Sequence, residues 1–307
     1  MAKKNDPQLE EIIQFSTYSS LGASIDSKKN NFIVFGCPDD LGIKYNLGRP
    51  GAKEGPQSIR KFLYKKPLPH KKILEKLQIF DHGDIAVSDN ILQTHANSKK
   101  MASEAAKTNA QVIALGGGHD FAGPNFLGFV EGSGKKKFGV VNIDSHLDVR
   151  VYENDLPNSG TGFREILESG HNIKVVQFGT RVASNSQYYL DYCKQKKVEI
   201  HYLEDIKNKK LSVAAQFKNM LQKLATKVDL IGVSLDMDSC HEICGVSAQA
   251  AVGFTAFELL EISKMAALNK KVKYFEVAET SPPLDFNDKT SKLSAEIIYN
   301  YFINCTL

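Results

Sequence analysis

Between Asn142 and Arg150 the chain reads NIDSHLDVR, directly after the apolar run Phe138–Val141. A β-strand sends successive side chains to opposite faces, so Asp144, His146 and Asp148 would share one side and Ser145 and Leu147 the other. Two carboxylates and an imidazole in one file at a strand's end suit a divalent metal such as manganese, iron or zinc. A solvated strand edge is the competing account, and it fits poorly, because the buried-type run Gly139–Ile143 feeds straight into the triplet. Two other stretches have the same build. Gln111–Leu115 (QVIAL) stops at Gly116-Gly117-Gly118-His119-Asp120, and Asp229–Leu235 (DLIGVSL) stops at Asp236-Met237-Asp238, where period-two spacing again aligns two carboxylates. The three glycines build no phosphate loop, since the G-x-x-x-x-G-K pattern is missing. They would let the backbone pass close to a bound group.

Elements must bring these groups to one rim. Compact apolar runs with β-branched residues predict strands at Asn31–Phe35, Lys76–Phe80 (with a turn at His82-Gly83-Asp84), Gln111–Leu115, Lys174–Phe178, Glu199–Tyr202, Asp229–Leu235 and Val272–Val277, besides the run before Asn142. Helical patterns fall at Leu9–Phe15, Ser58–Tyr64, Asn90–Ala110, Phe163–Ser169, Tyr188–Lys196, Ser212–Ala225, Phe257–Ala267 and Lys292–Ile303. Strands alternating with helices predict an α/β fold, a mainly parallel sheet covered on both faces, with ligands gathering outside the strands' carboxyl ends. The long Gly- and Pro-rich loop after Phe35 is a place for substrate contacts. With no repeat or composition break, residues 1–307 read as one domain. His119, Asp144, His146, Asp148, Asp236 and Asp238 would then meet at one rim. Four carboxylates there need cations, and two ions about 3.5–4 Å apart would balance them and activate a shared water for attack on an electrophilic carbon.

Composition narrows the classes of function. The net charge of +4 is spread along 307 residues, so no concentrated footprint for nucleic acid exists. The runs Lys135–Lys137 and Lys207–Lys210 read as solvated turns. No apolar stretch is long enough to span a membrane, and the polar start MAKKNDPQLEE lacks a signal peptide's apolar core. Five cysteines in a chain this large read as reduced thiols of a cytoplasmic protein, and Cys240 with Cys244 lacks the second pair a zinc site would need.

GGGHD, NIDSHLDVR and SLDMD resemble the three metal-binding motifs of the ureohydrolase family of arginases, agmatinases and formimidoylglutamases. NLGRPGAKEGPQSIR resembles the family's early Gly-Arg-x-Gly loop, HGDI its following short strand, and EVAETSPPLD its last-strand motif. The likeness covers most of the chain. It implies an arginase-like three-layer α/β/α fold and two Mn²⁺ ions per chain, held by the six residues named above. It also implies hydrolysis of a C–N bond in a small linear amidine and assembly as a homo-oligomer. In catalysis Asp148 would pass a proton to the leaving amine, and Glu279 would pair with the cationic substrate nitrogens.

Within the family, arginases and agmatinases carry a histidine in an HG context after the central motif. Here Asn158–Phe163 reads NSGTGF, with Ser159 at that place. Ser159-Gly160, GGGH rather than GGDH, and GVSA at Gly245–Ala248 are similar to formimidoylglutamases. The resemblance thus implies hydrolysis of N-formimino-L-glutamate to L-glutamate and formamide, a step of histidine degradation. That substrate carries two carboxylates, which Arg150, Arg181 or Arg49 would bind through a planar guanidinium, with Asn185 as a neutral contact; a structural ion pair is the alternative for Arg150. A guanidino hydrolase releasing urea is the alternative, and a metal-binding member without activity is another. A single-zinc deacetylase would not need all six ligands. One departure stands out. The Pro-Gly pair that follows the third motif is replaced by Cys244-Gly245, which predicts a looser turn near the metals. His241 beside it reads as a surface residue rather than a seventh ligand.

Overall fold

A computed structural model describes residues 7–16 and 25–307. The polar start, residues 1–6, and residues 17–24 lie outside the described residues. Among the described residues nine strands form one sheet: β1 Ile13–Phe15, β2 Asn30–Gly36, β3 Leu77–Asp84, β4 Gln111–Leu115, β5 Phe138–Ile143, β6 Ile173–Thr180, β7 Glu199–Tyr202, β8 Leu230–Asp236 and β9 Val272–Ala278. Their order is β1-β3-β2-β4-β9-β8-β5-β6-β7, and every pair is parallel. A parallel sheet must be covered on both faces. One face packs on helices Gly55–Leu63, Val213–Ala225, Ala256–Leu268 and Lys289–Asn304, and the other on Ile91–Lys107, Ala122–Gly132, Gly162–Glu168 and Gln187–Gln195, which gives three layers.

The sequence sets these boundaries locally. Asn90 caps helix Ile91–Lys107 by accepting from the Leu92 and Gln93 amides, and Thr255 with Glu258 forms a capping box at Ala256–Leu268. Helix Ala122–Gly132 has no counterpart among the expected elements. Its Gly and Pro content reads as loop, but Gly128 and Gly132 let it press against the backbone at Lys99 and Ser103 of the neighbouring helix, where a Cβ would collide. Two other expectations are corrected. Leu9–Phe15 is a 3₁₀ turn, Leu9–Ile12, followed by edge strand β1, because pairing with β3 outweighs the weak helical pattern. The expected turn at His82-Gly83-Asp84 is the end of β3, carried past an irregularity in its pairing with β2.

The order places β4, β9, β8 and β5 side by side, with β4 and β5 consecutive in sequence but two strands apart in space. The register aligns Leu115 with Val277, Val277 with Leu235, and Leu235 with Ile143, so four strand ends open at one level. Such a crevice is where an open α/β sheet binds ligands.

Candidate metal centre and its cavity

Each of those four ends supplies part of one cluster. His119 follows β4, Asp144, His146 and Asp148 follow β5, Asp236 ends β8 with Asp238 just beyond it, and Glu279 follows β9. All but His146 are buried, and His146 is half-buried. The alternation expected of Asp144, His146 and Asp148 is not what gathers them, because β5 ends at Ile143. Instead the chain turns tightly, with the His146 amide donating to Asp144 Oδ1 at 2.7 Å and Asp148 in the left-handed region at φ 51°. Asp236 and Asp238 are likewise related by a turn, the Asp238 amide donating to Asp236 Oδ1 at 2.7 Å. Short acidic side chains stabilise such turns by bonding the backbone two residues on.

The ligand atoms fall into two groups that share Asp144: His119, Asp144, Asp148 and Asp236 in one, Asp144, His146 and Asp238 in the other. His119 Nδ1 lies 2.8 Å from Asp148 Oδ2, 3.2 Å from Asp236 Oδ2 and 3.3 Å from Asp144 Oδ2. His146 Nδ1 lies 3.1 Å from Asp238 Oδ2 and 3.3 Å from Asp144 Oδ1. Among the described residues, Asp238 Oδ1 and Glu279 Oε2 are buried without a hydrogen-bond partner. Buried polar atoms are rarely left so, and these converge on one volume, as a donor set for cations would. Burial opposes charge on both rings, but the carboxylates win: His119 is raised well above an ordinary imidazole and His146 is pushed up to about 12, chiefly by Asp238 and Asp144. Burial and the neighbouring Asp144 charge raise Asp148 to about 6, and burial with like charge raises Asp236, Asp238 and Glu279. Burial also works against the Asp144 charge, yet the two imidazoles hold its carboxyl below the usual range. An excess of buried negative charge on an N/O donor set fits hard or borderline divalent ions.

A cavity of about 470 Å³ opens above the cluster. Glu279 lies at its floor, held at φ 65° with Oε1 accepting from the His119 amide at 3.0 Å. Non-glycine residues in that region cost strain that functional sites tolerate. Arg150 and Ser159 line the cavity. Among the described residues the exposed Arg150 guanidinium has no protein acceptor, and buried Gly160 leaves room for its stem, since a Cβ there would overlap Arg150 Cδ. Arg49 also lines it, but its guanidinium donates to the Val246 and Ser247 carbonyls, each at 2.9 Å. Arg181 does not line it; its amide donates to the Ser145 carbonyl at 3.1 Å. Asn185 reaches the wall, but its amide group is spent on the backbone: Oδ1 accepts from the Leu147 amide, and Nδ2 donates to the Ser145 and Arg181 carbonyls. That pattern braces the loop carrying His146 rather than offering a free contact.

Gly116 and Gly117, after β4, pass close to neighbouring backbone, while Gly118 abuts the Asp120 and Ile43 side chains. A Cβ on Gly117 would strike the Asp39 and Cys37 carbonyls. The turn at Cys244 is held in place of a proline by the Gly245 amide on Thr290 Oγ1 at 2.9 Å and the Ser281 amide on the Gly245 carbonyl at 2.7 Å. His241 is half-buried, with Nδ1 2.9 Å from the Phe254 carbonyl, and all five cysteines are free thiols. Sequence reasoning missed Asn46, Ser247 and Tyr189 in the cavity wall. Asn46 donates to Ser159 Oγ at 2.9 Å, and its place in the Gly-rich loop was the available signal; Tyr189 carried none.

Comparison with known proteins identifies the family. The model of the arginase family matches residues 30–303. A formimidoylglutamase of Staphylococcus aureus (strain MSSA476) is 29% identical over 302 residues, covering 97% of this chain and 94% of its own. The solved formimidoylglutamase of Bacillus subtilis superposes with a TM-score of 0.87 at 25% identity, covering all of this chain and 94% of its own. The formiminoglutamase of Trypanosoma cruzi, solved with Mn²⁺, shares the fold with a TM-score of 0.81 at 24% identity, over 98% of this chain and 99% of its own.

Proposed function

This chain belongs to the arginase family, and from that premise we propose that it is a formimidoylglutamase, hydrolysing N-formimino-L-glutamate to L-glutamate and formamide. The observation that carries the proposal is the polarity of the cavity: a buried carboxylate with an unused oxygen, Glu279 Oε2, at the floor, and Arg150 without a protein acceptor in the wall. A molecule with an amidine at one end and carboxylates at the other matches both. The names of the bacterial relatives point the same way.

His119, Asp144, His146, Asp148, Asp236 and Asp238 would hold two Mn²⁺ ions, with Asp144 common to both sets. Bound there, divalent ions supply Lewis acidity that brings the ionisation of water near neutral pH. Glu279 pairs with the amidine nitrogens and fixes the reacting carbon over the cluster, which converts binding energy into orientation. Asp148 accepts a proton from the attacking water and returns it to the glutamate nitrogen as the C–N bond breaks. Arg150 takes a substrate carboxylate bidentately. Ser159, bonded to Asn46, shapes the wall beside it. The five free thiols suit a reducing cytoplasm, and self-association belongs to the same proposal.

The test is turnover of N-formimino-L-glutamate by wild-type and Arg150→Met protein. Hydrolysis by the wild type, with KM raised about tenfold or more in the variant, is expected for a lost charge-assisted pair. Urea from arginine or agmatine, with no action on the formimino compound, would replace this substrate with a guanidine.

A further inference from the structure

Glu276 is a fully buried carboxylate in β9 that no step above uses. None of its hydrogen-bond donors is a cation. Ser234 Oγ donates to Oε1 at 2.8 Å, while Asn125 Nδ2 at 3.0 Å and the Tyr274 hydroxyl donate to Oε2. Ser234, on the adjacent strand β8, is paired in register with Glu276. Its oxygen also lies 2.9 Å from His119 Nε2. Donor arithmetic fixes the whole chain. A carboxylate filled on one oxygen by Asn125 and Tyr274 can only accept on the other, so the Ser234 proton points to Glu276. The Ser234 lone pair then faces His119, and Nε2 must carry a hydrogen. What remains for a metal is Nδ1, the atom facing Asp144, Asp148 and Asp236.

We propose that Glu276 is a positioning residue that acts through Ser234 to fix His119 as the Nε2–H tautomer, presenting Nδ1 to the metal held with Asp148 and Asp236. The inference rests on the metal centre proposed above but not on the substrate. A histidine ligand is commonly oriented by an outer acceptor, and losing that acceptor costs metal affinity about 10- to 100-fold. Here the acceptor is a serine polarised by a fully buried carboxylate on the adjacent strand β9. Ser234 bonds His119, and His146 belongs to the other ligand group, so the effect is expected at the site that His119 serves.

The experiment is titration of metal-free protein with Mn²⁺, free ion read by electron paramagnetic resonance, for wild type, Glu276→Gln, Ser234→Ala and the double variant. A glutamine that turns its amide toward Ser234 forces that hydroxyl to donate to His119 and puts the hydrogen on Nδ1. The expected result is one site weakened about 10- to 100-fold and the other nearly unchanged. The double variant should be no weaker than the worse single one, because both changes break the same chain. Ser234→Ala carries the test alone if Glu276→Gln does not fold. Unchanged affinities, equal weakening of both sites, or additive losses would overturn the proposal. Wild-type protein that fails to take up two ions would instead refute the metal centre itself. Substrate turnover bears on neither result.

Discussion

Replacing Glu279 by glutamine removes one charge and little else. The variant keeps an oxygen for the His119 amide, which donates to Oε1 at 3.0 Å, so the turn after β9 should survive. Under the proposed function, what it loses is the attraction between a buried carboxylate and an amidinium. At about 4 Å and an effective dielectric constant near 20 that attraction is about 4 kcal/mol. Part is offset, because burial, Asp236 and Asp238 already disfavour the Glu279 charge and raise its pKa well above the ordinary value. A net loss of about 3 kcal/mol corresponds to roughly a hundredfold fall in kcat/KM. The same shift gives a second prediction of opposite sign. A carboxyl whose folded pKa is raised contributes its full stability below the unfolded value and loses it as pH rises through the folded one. At neutral pH the Glu279 charge therefore costs stability, and metal-free Glu279→Gln should melt higher than wild type. Steady-state kinetics at constant metal content, with thermal melting of the metal-free forms, reads both. A kcat/KM within about threefold of wild type, or a lower melting temperature, would show that Glu279 is not a strained substrate anchor.

Asp144 is common to both ligand groups, so Asp144→Ala should lose bound manganese at both positions and with it all turnover; normal turnover would sink the site assignment. Asn185→Ala removes three hydrogen bonds that brace Ser145, Leu147 and Arg181, at roughly 1–2 kcal/mol in total, so Mn²⁺ affinity should fall about 5- to 30-fold with KM nearly constant. A raised KM at unchanged metal affinity would mean that Asn185 contacts substrate after all. Metal uptake should release protons. In the metal-free protein His119 is raised well above its usual value and His146 to about 12, so both rings are protonated near neutral pH and must give up a proton to bind. Mn²⁺ affinity should rise with pH, and calorimetric heats should track the buffer's ionisation enthalpy; pH-independent binding would contradict this.

The strand order was not legible in the sequence, but the strands' carboxyl ends were. His119, Asp144, His146, Asp148, Asp236, Asp238 and Glu279 each follow an apolar run, and a polar residue where a buried strand stops has few structural uses. The detail was less accessible. Period-two alternation selected the β5 and β8 ligands, yet tight turns bring them together, because β5 stops at Ile143 and β8 at Asp236, so the strand alternation does not extend through the ligands. Helix Ala122–Gly132 was hidden because glycine signals a loop locally, and only a partner helix gives it the opposite meaning. Asn185 and Arg49 offered the right chemistry for substrate, but their acceptors are backbone carbonyls that no local pattern predicts. Glu276 did leave a signal: a lone carboxylate inside the apolar strand VKYFEVA must be satisfied by something buried.

One sample can test metal and substrate together. Protein loaded with Mn²⁺ would be assayed for bound metal, then given N-formimino-L-glutamate, arginine and agmatine separately, with products identified by nuclear magnetic resonance. Two manganese ions per chain, with formamide and glutamate released in equal amounts from the first compound and nothing from the others, is the predicted result. Urea from arginine or agmatine would contradict the substrate while leaving the metal centre standing, and two bound ions with no turnover of any of the three would contradict the assignment as an enzyme of this class.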